Sequence, residues 1–169
     1  MTNKLSLIQV IYASMFSAII FVFTYIGVQV PAFGAFGGLT HMGTLVMFII
    51  SIKYGKYYGA FSGAVGMTLF DLLSPWAAWA PGTFVVRIIA GYVFGLVAES
   101  KEGQGMSMTK NWLSLGLGGL VIVVGYFMFE ALFLGSGLAA LRSIPGNILQ
   151  LVIASAGIFI YKSMPELRR

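Results

Sequence analysis

The chain has 169 residues, 59% of them hydrophobic and 9% charged, with a formal net charge of +5. Soluble domains carry about 25% charged residues, and so sparse a set of ionisable side chains cannot solvate a globule of this size, so the sequence reads as an integral membrane protein. It contains no cysteine, which excludes disulfides and thiolate metal sites and leaves redox state silent about compartment.

Leu5 to Ile52 contains no Lys, Arg, Asp or Glu, enough for two spans of about 20 residues each. Pro31, Gly34, Gly37 and Gly38 mark the turn between them, because a membrane helix would not carry that cluster intact. Helix one is expected from Leu5 to Val30. Helix two is expected from near Thr40, whose hydroxyl can cap it, to the polar run Lys53-Tyr-Gly-Lys56. The apolar segment after Met1 is longer than a signal h-region and lacks a small-residue cleavage site, so helix one is expected to be retained.

Tyr57 to Ala98 carries only Asp71 and Arg87 as charges, with a turn from Ser74-Pro75 to Pro81-Gly82, and reads as a second hairpin. Glu99 to Lys110 is polar and reads as an exposed loop. Asn111 to Tyr161 carries only Glu130 and Arg142, breaks near Gly135-Ser-Gly137, and forms a third hairpin. Helix six is expected to start near Ile144, with Pro145-Gly146 in its first turn, where proline is tolerated. The expected fold is thus an all-α integral membrane protein of six transmembrane helices in three hairpins, a single domain over residues 1–169.

Six spans put both termini on one side, and that side collects Lys4, Lys53, Lys56, Lys101, Lys110, Lys162, Arg168 and Arg169, eight of the ten basic residues. The positive-inside rule makes that side cytoplasmic, so both termini are expected there. A nucleic-acid surface would need the basic residues clustered with exposed aromatics rather than spread over helix ends, so no nucleic-acid partner is expected.

An ionisable group inside a span costs about 2.5 to 3.5 kcal/mol even on lenient insertion scales and is a functional-site hypothesis by default. In this orientation His41, Asp71, Arg87, Glu130, Arg142, Asn147 and Gln150 all fall in the outer half. A proton or ion relay would string such groups through the full thickness, whereas shared depth describes a cavity open to the outside. Trp76 and Trp79, with Phe33 and Phe36 of the first outer loop, lie at the same level and could stack on a flat ring. Each residue also has a plainer reading: interface anchors for the tryptophans, a structural ion pair for Asp71 with Arg87, a capping role for His41.

Helix one carries Ala13-x-x-x-Ser17 and, one residue on, Ser14-x-x-x-Ala18, small side chains that let another helix approach closely. Gly59-x-x-x-Gly63 and Gly91-x-x-x-Gly95 suit internal packing. The sole Gly-Lys pair, Gly55-Lys56, lacks the rest of a phosphate-binding loop, so the chain is not expected to use ATP itself.

Thr40-His-Met-Gly43, Lys53-Tyr-Gly-Lys-Tyr-Tyr-Gly-Ala60, Gly63-Ala-Val-Gly66, Asp71-Leu-Leu, Ala80-Pro-Gly-Thr-Phe84 and Ile144-Pro-Gly-Asn-Ile-Leu-Gln150 occur in this order along nearly the whole chain. The succession resembles the substrate-binding (S) component of energy-coupling factor (ECF) vitamin importers. The resemblance implies a six-helix membrane protein of a prokaryotic cell membrane that captures a B-type vitamin or precursor from outside, beneath the first outer loop. It implies a transmembrane coupling protein and two ATPase subunits as partners, with ATP used by those partners and no cofactor bound by this chain. It also implies docking through the small-residue stripe of helix one, at Ala13 with Ser17 or Ser14 with Ala18, neither pair being the strict Ala-x-x-x-Ala pattern. Asn147 and Gln150 would then hydrogen-bond the vitamin and Trp76 or Trp79 would cover its ring, while His41, Asp71, Arg87 and Glu130 are candidates from depth alone. Acidic, basic and aromatic groups together suit a pyridoxine-like or hydroxymethylpyrimidine-like molecule first and riboflavin second.

Two other classes compete. An enzyme would need a nucleophile, base or metal set, and one histidine with scattered carboxylates offers none at a recognised spacing. A passive small-solute channel or small oligomeric exporter is the other rival, and it is disfavoured because charged groups in the outer half alone leave the inner half of the spans apolar.

Overall fold

A computed structural model of the chain describes residues 6–32, 35–101, 103–135, 137–165 and 167. Lys4, Arg168, Arg169 and Phe33 lie outside the described residues, and of Phe36 only the backbone is described. The chain is mostly helical, in the order α1 (Leu7–Thr24), β1 (Gly27–Ala32), β2 (Ala35–His41), α2 (Gly43–Tyr54), α3 (Lys56–Leu72), α4 (Ala80–Ala98), β3 (Glu99–Ser100), β4 (Gly103–Gln104), α5 (Met108–Phe133), α6 (Gly137–Ser155) and α7 (Gly157–Ile160).

Four described helical stretches are long and apolar enough to cross a membrane: Leu7–Thr24, Ala77–Ala98, Met108–Phe133 and Ala140–Ser163. Large apolar side chains along them, such as Val22, Leu120, Phe133 and Val152, are exposed, a surface suited to lipid and not to water. Helix α3 has 17 residues and α2 only 12, and at 1.5 Å per residue α2 reaches about 18 Å, well short of a bilayer core of about 30 Å.

The short α2 is the centre of the molecule. It packs against α1, α3, α4 and α6, and its run from Met47 to Ile52 is buried without interruption. A helix that is apolar on every side has no face to offer water, so the longer helices wrap it. Phe48, Ile50 and Ile52 of α2 meet Ile20, Met67, Phe94 and Ile122 in one core.

Glycine sets how tightly α3 and α4 cross. A Cβ on Gly91 would lie 2.6 Å from the backbone of Gly59, and one on Gly95 would lie 2.3 Å from the amide nitrogen of Lys56. The two Gly-x-x-x-Gly patterns therefore serve internal packing, through backbone contact that any side chain would prise apart. Between α2 and α3 the chain reverses at Gly55 alone, with φ +97°, a conformation glycine adopts without strain.

Five sequence expectations need correction. The first outer connection is an antiparallel β-hairpin, so the fold is not purely α-helical. Its strands begin at Gly27, ending α1 six residues earlier than expected, because β-branched Val28 and Val30 followed by Pro31 favour extended chain once the helix has left the apolar layer. The hairpin slips register between Gln29 and Pro31, as proline, lacking an N–H, commonly requires. Thr40 does not cap α2: the N-cap position is Met42, and the Thr40 hydroxyl donates instead to the Gly146 carbonyl at 3.0 Å. Helix α6 starts at Gly137, so Pro145 is interior and Arg142 does not open the helix. The loop from Glu99 to Lys110 contains the short β3–β4 pair and the first residues of α5.

The two ends of the bundle differ chemically. Lys53, Lys56, Lys101, Lys110 and Lys162 mark the end formed by the α2–α3 link, β3–β4 and the close of α7, where Lys56 pairs with Glu99 at 3.4 Å. The β1–β2 hairpin and the α3–α4 and α5–α6 links form the other. Replacing Gly95 with Val should lower stability by about 1 to 3 kcal/mol through overpacking, read as a lower melting temperature in detergent. Gly116→Ala, where a Cβ meets nothing within 4 Å, should leave it unchanged or slightly raised.

Candidate functional site

The end opposite the lysines holds a cavity lined by Gly38, Leu39, His41, Asp71, Trp76, Trp79, Thr83, Arg87, Tyr126, Glu130, Ser143, Asn147 and Gln150. It brings together His41, Asp71, Trp76, Trp79, Arg87, Glu130, Asn147 and Gln150, all the solute-binding candidates read from sequence, from β2, α3, the α3–α4 link, α4, α5 and α6. Its empty space, open mouth included, is about 390 Å³.

Arg87 forms the floor. It is 1% exposed, and its guanidinium donates from Nε to the Tyr126 hydroxyl at 3.2 Å, from Nη1 to Thr44 Oγ1 at 2.9 Å and from Nη2 to Gln150 Oε1 at 3.1 Å. Its carbon also stands 5.2 Å from the Tyr126 ring centroid, a cation–π distance. Every one of these partners is neutral. The structural ion pair between Asp71 and Arg87 is absent among the described residues, where the bond between them is indirect: Tyr126 donates to Thr83 Oγ1 at 2.9 Å, and Thr83 stands within hydrogen-bonding reach of the Asp71 carboxyl.

Gln150 uses its whole amide on protein. Its Oε1 accepts from Arg87 and from the Thr44 hydroxyl, while its Nε2 donates to the Leu39 carbonyl at 2.7 Å and to Asn147 Oδ1 at 3.5 Å. An amide offers two acceptor and two donor positions, so Gln150 is saturated and acts by positioning. It ties the floor to strand β2. Asn147 also lines the cavity, with its Oδ1 accepting from Gln150.

Trp76 and Trp79 stand edge to face with ring centroids 5.0 Å apart, and the Trp79 indole N–H donates to Glu130 Oε1 at 2.9 Å. That bond fixes the Trp79 ring beside the cavity mouth. Three residues that line the cavity carry a buried polar atom with no close partner: His41 Nδ1, which lies beside Gly43, Asp71 Oδ2, and Glu130 Oε2 in a carboxyl that also has Ser143 within reach. Buried polar groups are nearly always hydrogen-bonded in folded proteins.

Thr44, Thr83, Tyr126 and Ser143 escaped the sequence reading. The signal was available as helical spacing, since Thr83 precedes Arg87, Tyr126 precedes Glu130 and Ser143 precedes Asn147 by one turn each. Small hydroxyl residues carry no cost signal of their own in an apolar helix. Arg142, counted among the polar groups of the outer half, does not line the cavity.

The two small-residue registers of helix one also separate. Ser17 is buried, Gly66 of α3 closes on its backbone, and Ser62 of α3 donates to the Ala13 carbonyl at 3.3 Å. Ala13 and Ser17 thus pack within the chain, while Ser14 and Ala18 are exposed.

These features define a helical membrane protein with a polar, aromatic-rimmed cavity at one end. The profile of the family described as ECF-type riboflavin transporter, S component, matches residues 4–165, and the chain belongs to that family, whose members are the substrate-binding subunits of ECF transporters and not a family of enzymes. A solved structure, described as "Structure and mechanism of the S component of a bacterial ECF transporter", superposes with a TM-score of 0.64 at 22% identity, covering 91% of this chain and 93% of that one. It shares the fold. A Pyrococcus woesei protein described as "Uncharacterized protein in gap 3'region" is 28% identical over 123 residues, 73% of this chain and 77% of the relative.

Replacing Gln150 with Leu should strand the Leu39 carbonyl and two Arg87 and Thr44 bonds, costing about 1 to 3 kcal/mol. The solute-free protein should then melt earlier in detergent, with a smaller drop for Thr40→Val.

Proposed function

We propose that this chain captures riboflavin, or a vitamin sharing its donor-bearing heteroaromatic character, from outside the cell and hands it to an ATP-driven module. The observation that carries the reading is the cavity itself: all eight solute-binding candidates, drawn from six elements, converge there, in a chain of the riboflavin S-component family. Family membership reverses the order suggested by residue types alone, moving riboflavin ahead of pyridoxine-like and hydroxymethylpyrimidine-like solutes. In this reading Trp76 and Trp79 cover the ring, Asn147 donates to it, and Asp71, Glu130 and His41 meet its polar edge. Arg87 and Gln150 hold the floor.

In the same reading residues 1–169 form one domain whose six helices, α1 to α6, sit in the bilayer, with the short α2 completed across the layer by the hairpin before it. Both termini and the lysine-rich end face the cytoplasm, as the positive-inside rule requires. No cofactor is bound by this chain; the partners are a transmembrane coupling protein and two ATPases that use ATP. The face of α1 that carries Ser14 and Ala18 docks on the coupling protein, because Ala13 and Ser17 are already occupied by α3. The passive channel has no support from the family.

Titration of the purified protein with riboflavin, followed by quenching of flavin fluorescence, tests the reading and should give saturable one-to-one binding. No binding by folded protein to riboflavin, pyridoxine or hydroxymethylpyrimidine would end it. Asn147→Ala should weaken binding by about 1 to 3 kcal/mol, and unchanged affinity would remove Asn147 from the site. Changing Ser14 and Ala18 together to Leu should leave binding intact and abolish ATP-driven uptake in vesicles holding the whole transporter. Normal uptake by that variant would move the docking face elsewhere.

A further inference from the structure

Two lysines from different helices meet at the end of the bundle opposite the cavity. Lys56 opens α3, and its ammonium pairs with Glu99 Oε2 at 3.4 Å. The same ammonium stands 5.8 Å from the ring centroids of both Tyr57 and Tyr92, within cation–π range. Lys110, in the first turn of α5, donates to the backbone carbonyl of the same Glu99. Among the described residues their hydrogen bonds end there. An ammonium has three N–H donors, so both cations have donors left to give, with one carboxylate between them.

The surface around this pair is open and apolar. Tyr57 is 73% exposed and Tyr92 37%, and their rings meet edge to face across α3 and α4 with centroids 6.0 Å apart. One turn closer to the middle of the bundle, Phe61 on α3 and Ile88 on α4 are exposed as well. Cations at the level of the headgroups, tyrosines at the interface and apolar side chains beneath them follow the profile of a phospholipid from phosphate to acyl chain.

Charge complementarity selects the kind of lipid. Among the described residues Glu99 is the only carboxylate at this end, and by sequence position the segments on this side hold eight Lys and Arg against Glu99, Glu102 and Glu166. A phosphate esterified to choline brings its own cation to two ammonium groups, whereas one esterified to glycerol brings negative charge alone. Lysines beside an anionic leaflet are drawn to it, and hydrogen bonds from ammonium to phosphate are charge-assisted.

We infer that Lys56 and Lys110, flanked by Tyr57 and Tyr92, hold the headgroup of an anionic glycerophospholipid in the leaflet at the lysine-rich end, with its chains along the α3–α4 seam. The positive-inside rule orients a chain without choosing a lipid. Here Glu99 gathers two cations at one place, so one headgroup is selected. The site is remote from the cavity, and the inference stands apart from the capture reading.

The test is native mass spectrometry of the purified full chain after incubation in detergent with equimolar phosphatidylglycerol and phosphatidylcholine of matched chains. The wild type should retain phosphatidylglycerol at least about fivefold over phosphatidylcholine. Lys56→Gln with Lys110→Gln should bring the ratio close to one, and Lys110→Gln alone, at an exposed position, should lower it part of the way and keeps the test decisive should the double variant not fold. Lys162→Gln removes a basic residue from the same end outside the pair and should leave the ratio unchanged. Elution as a single species and an unchanged melting temperature in lipid-free detergent establish that the variants are folded. Equal retention of the two lipids by the wild type overturns the inference. So does an equal loss of preference in the Lys162 variant, which would make the effect one of overall charge, or a preference that survives in the folded Lys56 and Lys110 variants. If that preference survives while ATP-driven uptake by the whole transporter fails, the pair is a protein contact and the lipid site is overturned.

Discussion

The buried guanidinium of Arg87 is the constraint around which the rest is arranged. Removing such an ion from water costs several kcal/mol, in a molecule whose outer surface faces lipid and cannot rehydrate it. Three charge-assisted hydrogen bonds, at about 1.5 to 3 kcal/mol each, offset a cost of that size. The acceptors come from Thr44 on α2, Tyr126 on α5 and Gln150 on α6. None can leave without stranding the charge. The floor of the cavity is thus also the knot that holds four helices at the outer end, and the Leu39 carbonyl extends it to the hairpin through Gln150.

That arrangement divides labour along the bundle. Polar groups concentrate at the end carrying the cavity, where most have a protein partner or line the cavity. Below them the core is apolar and closely packed, with glycine letting α3 and α4 touch backbone to backbone. Among the described residues no path of ionisable groups runs through the middle of the molecule.

Saturation separates the cavity residues more sharply than residue type does. Most of the hydrogen-bonding capacity of Gln150 and Arg87 is spent on protein, whereas Asp71 Oδ2 and Glu130 Oε2 have no close partner. Similarly, on α1 the stripe already covered by α3 is distinguished from the neighbouring stripe by contact, though the two are equally small in side chain.

Membrane insertion, the places where the chain reverses and the depth of the polar groups were legible in the sequence, because each is a local cost: a charge or a Pro/Gly cluster in an apolar run is expensive wherever it stands. The eight solute-binding candidates share one cavity for that reason. The hairpin strands, the interior position of Pro145 and the true start of α2 were not legible, since each depends on a partner distant in the chain. Thr40 leaves α2 uncapped because Gly146, 106 residues on, offers a carbonyl. Thr83 and Tyr126 stand one turn before Arg87 and Glu130 in sequence, but their value, like that of Thr44, appears only when Arg87 is packed among them. By itself the sequence determined what had to be buried and at which level of the membrane. Only the tertiary structure decided which groups satisfy one another and which are left open to a solute, because hydrogen-bond saturation is a property of contacts between elements and not of any residue alone.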